Sequence, residues 1–402
     1  MTFDGTLLGD AGSDVLAAAV SLQDSTIELR RTIHADPELG LDLPRTQKAI
    51  TEALTGLGLD ITLGEQTTSV VADLDTGRPG PTVLLRGDMD ALPLQEDYVT
   101  EFQSRSDGKM HACGHDSHVA MLASAARLLS ENRDSLTGRV RFMFQPGEEG
   151  YGGAEYMIRE GVLDGVDRAF AIHISPNLAA GLVSTKGGAL LASSDEFEIV
   201  VAGKGGHASA PHQCVDPIPA AAATITGIHT MVGRSTDATR AGVVTVAQMR
   251  SGTTNNIIAP SAYLAGTIRA HDEHTRSTLT RRLAEVANGV AAAHGCTCTT
   301  QITPGYPVTI NDEKQAALVG AVAAELLGAD LYEVAPSASM AAEDFSYVLQ
   351  RVPGAMATLG VCPDDLTAET AAPCHSNLMR INEAAFSNGV ALHVAMALAV
   401  AP

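Results

Sequence analysis

The sequence predicts an α/β fold in which a largely parallel sheet is interrupted by an inserted α+β domain. Up to residue 174, apolar strand-like runs alternate with helical patterns, which is typical of a parallel sheet with helices on both faces. Residues 195–302 follow the order strand, helix, strand, strand, helix, strand, which is the ferredoxin-like pattern. An apolar helix at 314–327 and a strand at 355–360 then indicate a return to the first domain.

These patterns divide the chain into three segments. Residues 1–188 and 304–402 are expected to form one domain, and residues 189–303 are expected to form the insert. A chain of 402 residues is long enough for two such domains. We found no internal repeat that would suggest another architecture.

The elements of the first domain follow from apolar spacing and turn residues. Residues 15–33 have apolar side chains at helical spacing and end on Arg30 and Arg31, which suit a helix C-terminus. Residues 46–57 form a second predicted helix, closed by glycines. The remaining predicted elements of this domain are strands at 69–74, 82–85, 139–144 and 169–174 and helices at 116–129 and ending at Met157.

The insert has its own regular pattern. Residues 195–202 alternate between polar and apolar side chains, which predicts a half-exposed strand. The following predicted elements are a helix at 216–231, strands at 242–249 and 262–270, a helix at 273–293 and a strand at 297–302. Cys296 and Cys298 have no histidine close by in the sequence, and we interpret them as structural.

Composition excludes several classes of function. The net charge of −21 argues against a nucleic-acid or anionic-membrane partner, because phosphate binding requires Lys and Arg. No apolar run approaches about 18 residues, so we expect no transmembrane helix. The first residues resemble no signal peptide, and six cysteines are sparse for a disulfide-bonded chain. We therefore expect a cytoplasmic protein.

Residues 110–118 hold three histidines, one cysteine and one aspartate. Thiolate and imidazole are preferred ligands of zinc and similar ions. Cys113 and His115 are two positions apart, so both can point the same way from a loop, and Gly114 allows the backbone to approach an ion. A helix is predicted to begin at Asp116, where Asp or Ser would cap it. One cluster cannot complete a site, so further ligands must come from elsewhere.

Other chemically apt residues follow strands of the predicted parallel sheet. They are Asp88, Asp90, Glu148, Glu149 and His173. In such sheets, ligands bind outside the carboxyl ends of the strands. For Glu148 and Glu149 the alternative is an exposed pair on a solvated face, and for His173 it is a satisfied core residue. His375 lies in a loop near the C-terminus, and on its own this histidine does not predict a functional site.

Six segments together resemble a known family. They are Arg86-Gly-Asp-Met-Asp-Ala-Leu-Pro, His111-Ala-Cys-Gly-His-Asp, Phe144-Gln-Pro-Gly-Glu-Glu-Gly, Gly205-Gly-His-Ala-Ser-Ala-Pro-His, Met340-Ala-Ala-Glu-Asp-Phe and His375-Ser. This set resembles the M20 metallopeptidase and aminoacylase family, within it the amidohydrolase branch of hippurate, N-acyl-amino-acid and auxin-conjugate hydrolases. The resemblance covers about residues 20–395. It implies a catalytic domain with two metal ions and an inserted lid domain that also dimerises.

The resemblance also implies roles for individual residues of the catalytic domain. The implied metal ligands are Cys113, His115, Glu149, His173 and His375, with the Cys113 thiolate bridging the two ions. Glu148 is implied as the general base for a metal-activated water, and Asp90 as a residue that orients a ligand. The sequence departs from the wider family at Asp88, where many members have a ligand histidine, so the role of Asp88 stays open.

The insert has its own implied site residues. His207 resembles the family histidine that reaches the partner subunit's active site and stabilises the oxyanion. Asn256 and Arg269 resemble residues that hold the substrate carboxylate, since the guanidinium can pair with both oxygens. For Arg269 the alternative is a surface ion pair. His212 is a further substrate-side candidate.

These implications lead to one favoured function and two alternatives. We expect an amidohydrolase that cleaves N-acyl or N-aroyl amino acids to a carboxylic acid and a free amino acid. The alternatives are a dipeptidase or carboxypeptidase of the same fold and a catalytically silent binding protein. Zinc is favoured by the thiolate and imidazole ligands, while manganese, cobalt and nickel remain compatible. The expected assembly is a homodimer formed through the lid.

Overall fold

The computed structural model describes residues 11–399, and a mixed sheet organises most of its first unit. This unit comprises the described residues up to Gly188, Ile310–Ser337 and those from Tyr347 onward; the second comprises Ala189–Thr309 and Ala338–Ser346. None of the helices within 11–399 combines the length and apolar character needed to cross a membrane. The boundaries 1–188, 189–303 and 304–402 and the lid role of the insert stay predictions.

The secondary structure alternates between helices and strands along the chain. The first elements are α1 (Ala11–Ser21), α2 (Gln23–His34), α3 (Pro44–Ala53), β1 (Asp60–Leu63), β2 (Val70–Asp75), β3 (Thr82–Asp88), α4 (His115–Glu131), β4 (Arg139–Gln145), α5 (Gly153–Arg159), β5 (Arg168–Ser175), β6 (Val183–Thr185) and β7 (Gly188–Leu191). They are followed by β8 (Asp195–Ala202), β9 (Gly206–His207), α6 (Pro217–Ser235), β10 (Gly242–Ser251), β11 (Ile257–Ile258), β12 (Ser261–Ala270), α7 (Glu273–Ala293) and β13 (Thr297–Pro304). The last elements are β14 (Thr309–Asn311), α8 (Glu313–Leu327), β15 (Tyr332–Val334), α9 (Ser346–Leu349), β16 (Gly354–Gly360) and α10 (Phe386–Leu398).

The sheet of the first unit has eight strands in the order β1-β2-β4-β3-β5-β16-β6-β15. Strands β4, β3, β5 and β16 run parallel to one another, whereas β1 and β2 join antiparallel at one side. The predicted, largely parallel central sheet is therefore confirmed. Because the four central strands are parallel, their carboxyl ends share one edge of the sheet.

Helix α4 lies within the core of the first unit. Fourteen of its residues are buried, and it packs against α2, α10 and strand β3. Its Val119 and Leu122 belong to the same buried cluster as Phe142 and Phe170 of the sheet. Each fully buried Val, Leu or Phe side chain contributes about 1.5–3 kcal/mol, so this helix has little freedom to shift. The residues at the N-terminus of α4 are therefore also held in fixed positions.

The second unit contains an antiparallel sheet in the order β10-β12-β8-β13. Phe197, Ile199 and Val201 of β8 are buried and alternate with exposed neighbours. They form one cluster with apolar residues of α6 and α7, including Ile228 and Leu283. The predicted ferredoxin-like order is confirmed, and β8 and α7 have the bounds that the sequence predicted.

The single helix predicted at 15–33 is wrong. A turn at Leu22 separates α1 from α2, and the Leu22 amide donates to the carbonyl of Ala19 in a tighter, three-residue turn. The Ser21 hydroxyl donates to the Ala18 carbonyl at 2.6 Å, and this carbonyl would accept the Leu22 amide in a continuous helix. A side chain that bonds to a nearby backbone carbonyl competes with the continuous helix at this point.

Helix α10 was not among the predicted elements. It is apolar on nearly every face, and ten of its residues are buried. A helix without a polar face shows no 3.6-residue alternation, so the periodic signal used elsewhere is absent here.

Candidate metal centre

The shared edge of the sheet brings together residues from five separate parts of the first unit. Strand β3 ends at Asp88, the residues after β4 carry Glu148 and Glu149, and β5 carries His173. The loop before α4 and a loop near residue 375 approach the same edge, because the His375 amide donates to the Ala112 carbonyl at 2.6 Å.

Three of the groups of potential ligand atoms at this edge overlap on Cys113, His115 and Glu149, and each group has its atoms within 4.8 Å of one another. They are Cys113 with His115 and His173, Cys113 with Glu149 and His375, and His115 with Glu148 and Glu149. Cys113 belongs to two of the groups. Its sulfur is therefore placed so that it could serve two adjacent cation positions.

The N-terminus of α4 positions Cys113 and His115. Gly114 precedes the helix with φ of 80° and ψ of 17°, and no side chain caps this end. A Cβ at Gly114 would lie 2.5 Å from Ile174 Cγ1, so only glycine fits without displacement. The prediction that Asp116 caps the helix is wrong, because its carboxylate instead meets the buried side chains of Arg30 (2.8 Å) and His34 (2.7 Å).

His115 is fully buried, and neither ring nitrogen makes a hydrogen bond within the described residues. The nearest carboxylate oxygens belong to Asp90 (3.4 Å from Nδ1) and Asp88 (3.5 Å from Nε2). Burial disfavours the imidazolium, but Asp88, Asp90 and Glu149 outweigh it and raise the pKa of His115 well above its usual value. A buried imidazole that lacks hydrogen bonds and faces carboxylates fits a cation site.

His173 is oriented by the backbone of its own strand. Its Nδ1–H donates to the Ile174 carbonyl at 2.7 Å, which leaves the Nε2 lone pair for other partners. That Nε2 lies 3.4 Å from Cys113 Sγ. A histidine whose second nitrogen is fixed by a carbonyl in this way is typical of metal ligation.

His118 has a different role from His115, although both are on α4. Its Nδ1 lies 2.5 Å from an Asp88 oxygen, and its Nε2 accepts the Ile174 amide at 2.9 Å. Both nitrogens are therefore used, and burial lowers the pKa of His118 to about 4 despite the adjacent carboxylate. His118 thus connects α4 with β3 and β5.

Asp88, whose role the sequence left open, is held between two partners. Its other oxygen accepts from Arg86 at 2.6 Å. Burial would raise the pKa of Asp88, but Arg86, His115 and His118 outweigh burial and hold the pKa well below its usual range. The carboxylate is therefore an anchored negative charge beside His115.

Asp90 contacts the two glutamates through their backbone. Its two oxygens accept the amides of Glu148 at 2.9 Å and Glu149 at 3.0 Å. Since Asp90 also lies beside the His115 ring, it links residues from two loops. Contacts of this kind orient ligand residues; that role of Asp90 stays a prediction.

Glu148 and Glu149 are not an exposed pair. Glu148 is 7% exposed, and Glu149 Oε1 lies 3.2 Å from His375 Nε2. Burial would raise the pKa of Glu149, but the hydrogen bond from His375 and the nearby His115 lower it. The glycines around the pair, Gly147 and Gly150, have positive φ and reverse the chain direction after β4.

His375 has an uncommon backbone conformation. Within residues 11–399 it is the one non-glycine residue with positive φ, at 68°. Such a conformation costs of order 1–3 kcal/mol and persists where the surroundings impose it, often at functional sites. The Glu149 carboxylate raises the pKa of His375, and the ring lies at the open side of the group.

Cys374 is a site residue that the sequence analysis did not single out. Cys374 directly precedes His375, whose amide donates to the Ala112 carbonyl next to Cys113. A hydrogen bond with Cys374, together with burial, raises the pKa of Cys113 well above its usual value. The same hydrogen bond, with the nearby imidazoles, lowers the pKa of Cys374 to about 6. The sequence signal that could have identified Cys374 is its position directly before His375, a candidate ligand.

A second group of buried, hydrogen-bonded side chains contacts the first turn of α4. The sequence analysis did not identify this group either. His34 lies 2.7 Å from Asp116 through Nδ1 and 3.0 Å from Glu96 through Nε2. Burial would raise the pKa of Asp116, but Arg30 and His34 hold it far below its usual range. These partners lie far apart in the sequence, so no local pattern could identify them.

The candidate residues of the second unit lie mostly at its surface. His207, on β9, is exposed, and its Nδ1 accepts from the Ser209 amide and hydroxyl at 3.1 and 2.8 Å. The Asn256 carbonyl accepts the Ala208 amide, so Asn256 and His207 are neighbours. His212 is exposed in the short 3₁₀ turn Pro211–Gln213.

Arg269 lies on β12 and is partly buried, and burial lowers its pKa. No carboxylate of the described residues lies within ion-pair distance of its guanidinium, so the surface ion pair considered as an alternative is absent there. The roles of Arg269, His207, Asn256 and His212 in substrate binding stay predictions.

Comparison with known proteins agrees with this arrangement. Residues 84–399 match the model of peptidase family M20/M25/M40. The chain is 40% identical over 380 residues to IAA-amino acid hydrolase ILR1-like 2 of Arabidopsis thaliana, covering 93% of this chain and 85% of that protein. It is 38% identical over 381 residues to thermostable carboxypeptidase 2 of Saccharolobus solfataricus, covering 94% and 95%.

A solved structure shows that the similarity to this family extends to the fold. A Bacillus subtilis protein, described as a dinuclear metal-binding peptidase of the M20 family, superposes with a TM-score of 0.82 at 31% identity. The superposition covers 94% of this chain and 98% of that one. The chain belongs to the peptidase family M20/M25/M40.

Proposed function

We propose that this chain is a metal-dependent amidohydrolase that cleaves N-acyl amino acids to a carboxylic acid and a free amino acid. The observation that carries the proposal is the overlap of three potential ligand groups on Cys113, His115 and Glu149, with Glu148 beside them. The names of the two relatives support the substrate class. An IAA–amino acid conjugate and a carboxypeptidase substrate both have an amide nitrogen that belongs to an amino acid with a free carboxylate.

The available donors fit two divalent cations. One cation would be held by Cys113, His115 and His173, and the other by Cys113, Glu149 and His375. Thiolate and imidazole favour zinc, and the carboxylate also suits manganese, cobalt or nickel. When bound, the cations polarise the amide carbonyl and lower the pKa of water to about 7.

Glu148 is the proposed general base. Its amide is fixed by Asp90, and its side chain is largely buried beside Glu149 and His115. The carboxylate accepts a proton from the attacking water and then delivers it to the amide nitrogen as the carbon–nitrogen bond breaks.

The residues of the second unit are proposed to bind the substrate. Arg269, with Asn256, pairs with the α-carboxylate, since a guanidinium can contact both oxygens. His207 donates to the oxyanion that develops on the carbonyl, and His212 is a further substrate contact. In this proposal the chain forms a homodimer through the second unit, and His207 serves the partner subunit's active site.

The net charge of −21 argues against a nucleic acid as the partner, and the proposed substrate is a small N-acyl amino acid. The six cysteines are all free in the structure, which suits a reducing compartment, and we propose a cytoplasmic location.

Glu148→Gln tests the proposed base. The variant should keep the metal content of the wild type, measured by elemental analysis, and lose turnover of N-benzoyl and N-acetyl amino acids. Glu131→Gln, at the exposed end of α4, is the matched control and should keep full activity. Unchanged hydrolysis by Glu148→Gln would refute the assignment. Faster cleavage of plain dipeptides than of acylated amino acids by the wild type would favour the peptidase alternative.

A further inference from the structure

A cavity of about 680 Å3 lies at the edge of the first unit's sheet that is opposite to the candidate metal centre. Its wall includes Pro81, Thr137, Arg168 and Pro353, which lie at or within two residues of the start of β3, β4, β5 and β16. These strands have seven or eight residues. At about 3.3 Å per residue, the cavity is roughly 20 Å from the carboxyl edge of the sheet.

Arg168 is the residue of this cavity that indicates a ligand. Its side chain is 5% exposed, and its Nη2 donates to the carbonyls of Met396 (3.0 Å) and Ala399 at the C-terminus of α10. Within residues 11–399, the Nε and Nη1 atoms of Arg168 have no hydrogen-bond partner. Three N–H donors of a buried cation are therefore unsatisfied, which is costly and uncommon in folded proteins.

The carboxylates in the cavity wall are engaged with backbone amides. Asp167 Oδ2 accepts the Thr82 amide at 2.8 Å, and Asp312 Oδ1 accepts two amides of the first turn of α8 at 2.9 and 3.0 Å. Burial lowers the pKa of Arg168, and the charge of Asp167 does not offset this effect. The guanidinium therefore lacks a close counter-charge among the described residues.

Other groups in the cavity wall combine a second cation with apolar side chains. Lys314 is exposed, and its ammonium has no carboxylate within ion-pair distance in the described part of the chain. Apolar surface is provided by Pro81, Leu136, Pro353 and Leu398. This combination suits an anion with an apolar body, because a small hydrated anion would leave the apolar surface without a partner. The volume lies within the range of about 300–1,000 Å3 that is typical of small-molecule sites.

We propose that this cavity binds a monocarboxylate with an apolar body, such as a medium-chain fatty acid, and that Arg168 pairs with its carboxylate. Because Arg168 is part of the cavity wall, rotation of its guanidinium presents the unpartnered donors to a carboxylate oxygen, in a charge-assisted hydrogen bond. Lys314 adds a second positive charge, and the apolar body packs against Leu136 and Leu398. The described residues that line the cavity include neither Glu148 nor a proposed metal ligand, so this site is independent of the proposed function.

Variants of the two cations test the proposed contacts. Arg168→Gln removes the charge but keeps an amide donor for the α10 carbonyls, and Arg168→Lys keeps the charge. Lys314→Glu reverses the second charge at an exposed position, where folding is not at stake. Lys48→Glu is the matched control, because it makes the same change at a lysine of α3 that is 73% exposed and is not in the cavity wall.

Calorimetry titrates octanoate into the full-length protein, once loaded with zinc and once after dialysis against a chelator. One site with the same Kd is expected in both forms, because the cavity is remote from the metal centre. Loss of a hydrogen bond to a charged group should weaken binding about tenfold or more in Arg168→Gln. Arg168→Lys should keep most of the affinity, Lys314→Glu should lose a few-fold, and Lys48→Glu should match the wild type.

Two further probes separate the carboxylate from the apolar body. Uncharged 1-octanol should bind at least about tenfold more weakly than octanoate, since it cannot form the charge-assisted bond. Inorganic phosphate at the same concentration should not displace octanoate, since it has no apolar body. A crystal soaked with octanoate should place its carboxylate within hydrogen-bond distance of Arg168.

The proposal is overturned if octanoate does not bind, if its binding requires zinc, or if 1-octanol or phosphate binds as tightly. It is also overturned if folded Arg168→Gln, checked by circular dichroism, has the wild-type affinity. Should Arg168→Gln fail to fold, Lys314→Glu decides, and an unchanged Kd overturns the proposal. None of these readouts uses turnover, so a chain that fails to hydrolyse N-acyl amino acids can still confirm or refute the site.

Discussion

The sheet edge of the first unit and the candidate surface of the second unit hold their polar residues in different ways. At the sheet edge, Asp88, Asp90 and His115 are buried and contact one another or the neighbouring loops. On the second unit, His207 and His212 are exposed. Buried charges in fixed positions suit binding of a permanent ion, whereas exposed groups suit a substrate that arrives and leaves. Mutations at the sheet edge should therefore change metal binding, whereas mutations on the second unit should change kcat or KM and leave metal binding intact.

The largest difference is expected for His207→Ala. Loss of one oxyanion donor lowers kcat by roughly 100- to 1000-fold, while metal content stays at the wild-type level. His229→Ala, which removes an exposed histidine on α6, should leave kcat unchanged. A fall in metal content in His207→Ala would contradict the separation of the two regions.

Mixing of inactive variants sharpens this prediction. If His207 serves the partner subunit, dimers that combine a His207→Ala subunit with a Glu148→Gln subunit have one intact site of two. Random exchange makes half of the dimers mixed, so activity should recover to about a quarter of the wild-type value. A mixture that stays inactive after verified subunit exchange would place His207 in its own subunit's reaction.

A smaller effect is expected for Asp90→Asn, and it should appear in metal binding, which His207→Ala leaves unchanged. Asp90 accepts two backbone amides, and the neutral amide group cannot replace both acceptor oxygens. Loss of such an orienting residue typically costs about 10- to 100-fold in metal affinity or activity. Competition with a chromogenic chelator measures the affinity. Asp73→Asn, which alters a carboxylate paired with Arg141 on the same sheet, is the control and should leave it unchanged.

Arg269→Lys should mainly raise KM. Lysine keeps the charge but loses the planar fork, so one charge-assisted hydrogen bond to the carboxylate is lost, worth about 1.5–3 kcal/mol or roughly tenfold or more in KM. The kcat should change less than KM. Arg250→Lys, at an exposed position on β10, should alter neither constant. A pure kcat effect in Arg269→Lys would argue against carboxylate binding.

The prediction with the smallest effect on activity concerns stability in acid, away from both sites. His393 of α10 is buried against Phe170, and burial lowers its pKa to about 3. A histidine that resists protonation when folded leaves stability intact above the unfolded pKa of 6.5, and stability falls as pH decreases from there toward 3. At about 1.4 kcal/mol per pH unit, the loss is on the order of a few kcal/mol.

His393→Leu should reduce this acid sensitivity. Urea denaturation at several pH values should show a shallower decline for the variant than for the wild type, whereas His229→Leu should show the wild-type slope. Equal slopes for His393→Leu and the wild type would show that His393 does not contribute to the decline.

The sequence predicted elements best where one face is exposed. Strand β8 and helix α7 have the predicted bounds, because polar and apolar residues alternate along them with a clear period. The break at Leu22 was missed, because the contact of the Ser21 hydroxyl with the Ala18 carbonyl and the tighter turn at Leu22 are visible only in the folded chain. Helix α10 was missed, because a fully buried helix has no polar face.

The same contrast holds for the site. Except for His173, which was proposed from its position at the end of an apolar strand, the residues of the three ligand groups could be proposed from local motifs, since each motif places its polar residue at a strand end or turn. The partners of Asp88 and Asp116 could not be proposed, because His118, Arg86, His34 and Arg30 reach them only through tertiary packing. Local sequence thus indicates candidate ligands, and the fold determines which side chains hold them in place.

The late position of His375 has a consequence for biosynthesis. The loop that carries this residue, and the α10 helix that follows it, are made after nearly all of the sheet has been translated. A nascent chain that stops before residue 375 lacks one donor of the second cation position. The proposed pair of cations can therefore be complete only after residue 375 has left the ribosome and folded against the sheet edge.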